Sequence, residues 1–195
     1  MELIAAADFL AWARTVGIAP DERYPPPRCL VYVPDRQHQR FWTLPECATE
    51  LPFFIAHLLD GLDPWSACFV WPRGGVWPQP RERDRPADGV RNVILSGAGV
   101  PPGFAGAVRF AATERAKLVT VLFGNLVFGC SVMDDLFVVP EHGRQMLQTD
   151  HHDVVHVEFA EAAIIEPFVR HMASEQYTLP DDPPDATFKR PNWMP

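Results

Sequence analysis

Between residues 135 and 159 the chain carries three short apolar-rich segments, DLFVVP (135–140), RQMLQT (144–149) and DVVHVEF (153–159), divided by the turn-forming stretches Glu141–Gly143 and Asp150–His152. This pattern constrains the fold more than any other. Strands joined by connections this short have to run antiparallel, because a parallel neighbour needs a crossover of about a dozen residues or more. The alternation then assigns faces: Val155, Val157 and Phe159 turn toward a core, while Val154, His156 and Glu158 turn to the opposite side.

Helical spacing appears elsewhere. Ala5, Phe9, Trp12, Ala13 and Val16 form a stripe that stops at Gly17, and Leu51, Phe54, Ile55, Leu58 and Leu59 form a second that stops at Gly61, so helices are expected near 3–16 and 49–60. A last helix begins either at Glu161 or at Pro167, with Ile165, Phe168, Val169 and Met172 inward. The runs CLVYV (29–33) and RFWTL (40–44) flank the polar PDRQHQ and read as a hairpin. SACFVW (66–71) reads as a strand. Within 92–128, NVIL and AVRFAA read as strands and TERAKLVTVLF as a helix capped by Thr113, although the apolar residues of that region fit other divisions as well.

These elements add up to one α+β domain over residues 1–195: a mostly antiparallel sheet packed on one face by about three to four helices. Two stretches fall outside regular structure. Residues 72–91, rich in Pro, Gly and Arg, read as a long mobile loop, with Trp71 and Trp77 as candidate anchors for a partner or, alternatively, with one of these tryptophans packed back on the core. The tail at 179–195, with five prolines, reads as extended chain in which Phe188 and Trp193 pin the segment to the body.

Charge is distributed unevenly. Residues 1–133 hold 13 acidic and 13 basic side chains, whereas residues 134–195 hold 12 acidic and 4 basic and so carry the whole net charge of −8. Five of the seven histidines lie in the same segment. That balance argues against a nucleic-acid partner, which calls for clustered Lys and Arg. No apolar run has the length of a membrane span, and Glu2 with no basic residue before Arg14 reverses the charge order of a secretory signal. The expectation is a cytoplasmic protein without a membrane partner. The four cysteines, Cys29, Cys47, Cys68 and Cys130, include no CxxC pair, which speaks against a disulfide scaffold or a cysteine-based zinc site.

The densest chemistry is TDHHDVVH (149–156). Neutral imidazoles beside carboxylates suit a divalent transition metal, and Asp150, His151, His152 and His156 are the candidate ligands, with Asp134 or Asp135 completing the sphere. On one strand, however, His152 and His156 would sit about 13 Å apart. A shared ion therefore needs the strand to begin after His152. The alternative for this stretch is a polar hairpin turn in which Asp150 and Asp153 accept backbone hydrogen bonds. No GxSxG elbow, HExxH helix or phosphate-binding glycine loop occurs.

Two functional expectations follow. The first is a non-catalytic bacterial protein, of immunity or antitoxin type, that needs no cofactor and binds a basic protein partner through an acidic C-terminal face including Asp134, Asp135 and Glu158, with Trp71 and Trp77 beside it. The bacterial reading rests on 15 Arg against 2 Lys, a bias of GC-rich genomes. The second is a metal-dependent hydrolase built on the 150–156 cluster.

Overall fold

A computed structural model describes residues 1–21, 29–34, 38–80, 85–129, 134–150 and 154–180. The strands are β1 (Glu2–Ala5), β2 (Ile18–Pro20), β3 (Leu30–Tyr32), β4 (Gln39–Thr43), β5 (Ala67–Pro72), β6 (Gly106–Ala111), β7 (Leu136–Pro140), β8 (Gln145–Asp150) and β9 (Val154–Phe159). The α-helices are α1 (Ala6–Thr15), α2 (Leu51–Gly61), α3 (Pro86–Gly97), α4 (Arg115–Phe128) and α5 (Ile165–Ser174). Seven strands form one antiparallel sheet in the order β1-β6-β5-β7-β8-β9-β4, and β2 and β3 pair in a separate small sheet. The expected meander is β7-β8-β9. Among the described residues no helix is long and apolar enough to cross a membrane.

Period-two alternation divides the sheet's side chains between two cores. One core joins Val70, Phe110, Val138, Leu147, Val155 and Val157 to α2, α3, α4 and α5, and this is the helix-packed face that the sequence predicts. The stripe of α2 is wholly buried at Leu51, Phe54, Ile55, Leu58 and Leu59, and α5 buries Phe168 and Met172. The second core lies on the other face, where Phe69, Trp71, Ala107, Phe137, Val139 and Met146 meet Phe9 and Ala13 of α1 and Ile18, Leu30 and Tyr32 of the small sheet. Here the structure corrects the expected layout, because α1 sits opposite the other helices. Its aromatic residues find the aromatic side chains of β5: Phe9 stacks on Trp71 at 4.7 Å, and Trp12 lies 4.1 Å from Phe69.

Three other assignments change. The runs at 29–33 and 40–44 are not a hairpin, since β3 pairs with β2 and β4 pairs with β9 at the far edge of the large sheet. Each goes where its apolar side chains are covered: Leu30 and Tyr32 in the second core, Trp42 in the first, 5.3 Å from Phe168. NVIL is helical, as part of α3, which starts at Pro86 and is braced by Asp88 accepting from the Arg85 backbone. A short apolar run does not by itself separate strand from helix. Thr113 does not cap α4; the Glu114 carboxylate accepts the Ala111 N–H instead, at 3.1 Å.

The stretch 72–91 is likewise not one long loop. Pro72 ends β5, Arg73–Gly75 makes a 3₁₀ turn, Val76 bridges Ala105, and α3 occupies the chain from Pro86 onward. Residues 81–84 of that stretch, and 181–195 of the tail with Phe188 and Trp193, lie outside the described residues.

Candidate functional site

The register of the large sheet aligns the residues of the α1-bearing face in rows that cross the strands. One row reads Trp71, Phe137, Gln148, His156, Phe41 from β5 to β4. The next reads Phe69, Val139, Met146, Glu158, Gln39. Both rows begin apolar and buried beneath α1 and the small sheet, then turn polar where that cover gives out. Gln148, His156, Phe41 and Glu158 are half-buried and Gln39 is exposed. No residue of β4 or β9 belongs to the second core.

A third row, at the end of β5, is ionic. The Asp135 carboxylate is almost fully buried and pairs with Arg73 Nη1 at 2.5 Å. Asp150 of β8 follows on the same face, and its Oδ2 lies 3.4 Å from His156 Nε2. The other imidazole nitrogen, Nδ1, is 3.0 Å from the Gln39 amide nitrogen. Both ring nitrogens of His156 thus have polar neighbours, Nδ1 the Gln39 amide and Nε2 the Asp150 carboxylate. A metal would have to displace one of these contacts.

Cys29 lies close enough to this row to be influenced by it. Burial pushes its thiol above the ordinary range; the Arg73 guanidinium opposes that, and Asp135, Asp21 and Asp150 add to it. A thiol held protonated in this way is a poor nucleophile. Inside the helix-packed core, an apolar void of about 10 Å³ lined by Leu58, Leu126, Val138 and Leu147 holds one water at most, which leaves no room for a substrate there.

The residues singled out from the sequence fall into different places. Asp134 pairs with Arg91 Nη1 at 2.5 Å and Asp135 with Arg73, so two carboxylates expected on an acidic docking surface are neutralised by arginines from the first two thirds of the chain. The two tryptophans are corrected outright as exposed anchors. Trp71 is stacked in the second core, and Trp77, 1% exposed, donates its indole N–H to the Gly106 carbonyl at 3.0 Å. Their rings have no surface to offer a partner. Glu158 does stand on the half-exposed sheet face. Of the four candidate ligands, Asp150 and His156 meet, while His151 and His152 lie outside the described residues. β9 starts at Val154, after His152, as a shared ion would require; among the described residues no group of three or more His, Cys, Asp or Glu is placed to hold a metal.

Gln39, Phe41 and Gln148 belong to this surface and were not anticipated. Only the alternation in QRFWT hinted that β4 has an outward polar side, and nothing local says which strand it joins. Comparison of the chain with family models, with curated proteins and with solved structures finds no match.

Proposed function

We propose that this chain is a non-catalytic protein, of bacterial immunity or antitoxin type, that captures a basic protein partner on the polar part of the sheet formed by β8, β9 and β4. The observation that carries the reading is the change along each row, from buried aromatic and aliphatic side chains to partly buried polar Gln148, His156 and Glu158, with Asp150 beside them and Gln39 exposed at the edge. A sheet face that turns polar and opens toward its β4 edge, where Gln39 and Thr43 are exposed, offers a partner a hydrogen-bonding surface. Two carboxylates on it, in a chain of net charge −8, favour a basic partner, since complementary charge speeds encounter and rejects acidic competitors. The partly buried thiol of Cys29, held above its ordinary range by burial, and the polar neighbours at both nitrogens of His156 are consistent with a binding surface.

The test is affinity capture from the source cells with wild type, a Glu158→Lys, Asp150→Lys double variant, and a Glu166→Lys control on the exposed side of α5. Wild type and control should retain the same partner and the double variant should lose it, with capture by wild type weakening as salt is raised. Capture that is indifferent to the double reversal sinks the proposal.

A further inference from the structure

Resting on that reading, we infer that the partner engages β4 itself, through an extended segment that adds to the sheet as its next strand and carries Lys or Arg at alternate positions. Among the described residues β4 is an edge strand, and the hydrogen-bond pattern settles which of its groups point away from β9. The Phe159 N–H donates to the His38 carbonyl at 2.8 Å, and His38 stands opposite Phe159 in the register that pairs Gln39 with Glu158. In an antiparallel ladder, directly opposed residues alternate between those that exchange hydrogen bonds and those that do not. Arg40 and Trp42 therefore bond Val157 and Val155, while the backbone N–H and C=O groups of Gln39, Phe41 and Thr43 point away from β9. The Gln39 carbonyl is covered by its neighbour, accepting from Arg40 Nη1 at 2.7 Å. Phe41 and Thr43 present both of their groups to the open side.

Exposed edges of this kind are usually blunted by a proline, a bulge or extreme shortness. β4 has none of these: Gln39 to Thr43 pair with β9 over five consecutive positions, and no proline interrupts them. The opposite edge, β1, is four residues long and passes directly into α1 at Ala6. The outward groups of β4 also lie on the residues whose side chains face the polar rows, so an added strand lays every second side chain beside Gln39, Phe41 and Thr43. Long basic side chains at those positions reach across β4 toward Glu158 of β9. The intervening positions fall on the Trp42 side, next to half-buried Arg40, where a cation is disfavoured and a small apolar residue fits. This is strand addition, with main-chain bonds supplying affinity and alternate side chains supplying selectivity.

The experiment uses the full chain and the fluorescein-labelled peptide Lys-Val-Lys-Val-Lys-Val-Lys, with its Glu-for-Lys counterpart. Amide hydrogen exchange on the free protein should find Phe41 and Thr43 unprotected and Arg40 and Trp42 protected; addition of the basic peptide should protect Phe41 and Thr43, and the acidic peptide should not. Thr43→Pro removes one outward donor and no ladder bond, so the fold is retained while peptide affinity falls about tenfold or more. Unchanged exchange at Phe41 and Thr43 in the complex, or binding that survives Thr43→Pro, overturns strand addition. So does a dimer of the chain itself that Thr43→Pro dissolves, because the edge would then be occupied by a second copy. Loss of the cellular partner on charge reversal at Glu158 and Asp150, with full retention in Thr43→Pro, would leave the docking reading standing and remove only this one.

Discussion

The two halves of the α1-bearing sheet face share the same strands and the same rows, yet they are built for different ends. Phe137 and Gln148 are direct neighbours across β7 and β8. The first is fully buried against α1 and the small sheet, and the second is half-exposed. The carboxylates divide along the same line. Asp135 is sealed beneath Arg73 and Glu141 binds backbone amides, whereas Asp150 and Glu158 are partly buried among polar side chains, Asp150 facing His156. The lesson is that an acidic residue in this chain signals a surface only where α1 and the small sheet do not reach.

The contrast can be broken most forcefully at the Phe137 and Gln148 pair. Phe137→Ala should cost about 3–5 kcal/mol through lost burial and the cavity left behind, while Gln148→Ala should stay within about 0.5 kcal/mol. Chemical denaturation of both variants measures this, and comparable losses would mean that the polar half is as structural as the apolar one. A somewhat smaller effect is expected from the carboxylates. Asp135→Ala strands the Arg73 guanidinium in a largely buried site and should cost about 3 kcal/mol. Asp150→Ala removes a longer contact with an imidazole, 3.4 Å and less buried than the Asp135 carboxylate, and should cost about 1–2 kcal/mol. Equal costs in urea titrations would place Asp150 with the structural group.

The smallest effect concerns pH. Burial tends to raise the Glu141 carboxyl, but the N–H groups of Ser66 and Ala67, with the Ser66 hydroxyl, hold it below its ordinary value overall. A carboxylate depressed in the folded state contributes stability that is present above its unfolded value, near about 4.3, and lost as pH falls through the folded value. Glu141→Gln should therefore cost about 1–2 kcal/mol at neutral pH and less at acid pH, so that the two stability curves converge as pH drops. Curves that stay parallel below about pH 4 would show that the carboxylate's charge contributes nothing there.

Much of the fold was legible because it depends on local periodicity. The stripe of α2, the meander of β7, β8 and β9, and the inward Val155, Val157 and Phe159 follow from spacing alone. What resisted was pairing between distant segments. Nothing in QRFWT shows that it closes the far edge beside β9, 115 positions along at the Gln39 to Val154 separation, and the polar loop after CLVYV points to a hairpin that does not form. NVIL was misread because three apolar residues in a row, Val93, Ile94 and Leu95, fit a buried strand and a helix equally well, and α3 is decided by its packing on α4.

The site shows the same division. By itself the sequence determined that the last third is acidic and rich in histidine, since charge follows directly from composition. It could not determine how much of that charge reaches a surface. Ion pairs form by proximity in space, and the tertiary structure brought Arg73 to Asp135 and Arg91 to Asp134 from regions that are neutral as stretches of chain. Coulomb attraction falls with separation, fastest for solvent-exposed charges, which water and salt screen. Chain packing therefore decided which carboxylates are buried in ion pairs, as Asp135 is with Arg73, and which, like Glu158, lie on a partly exposed sheet face.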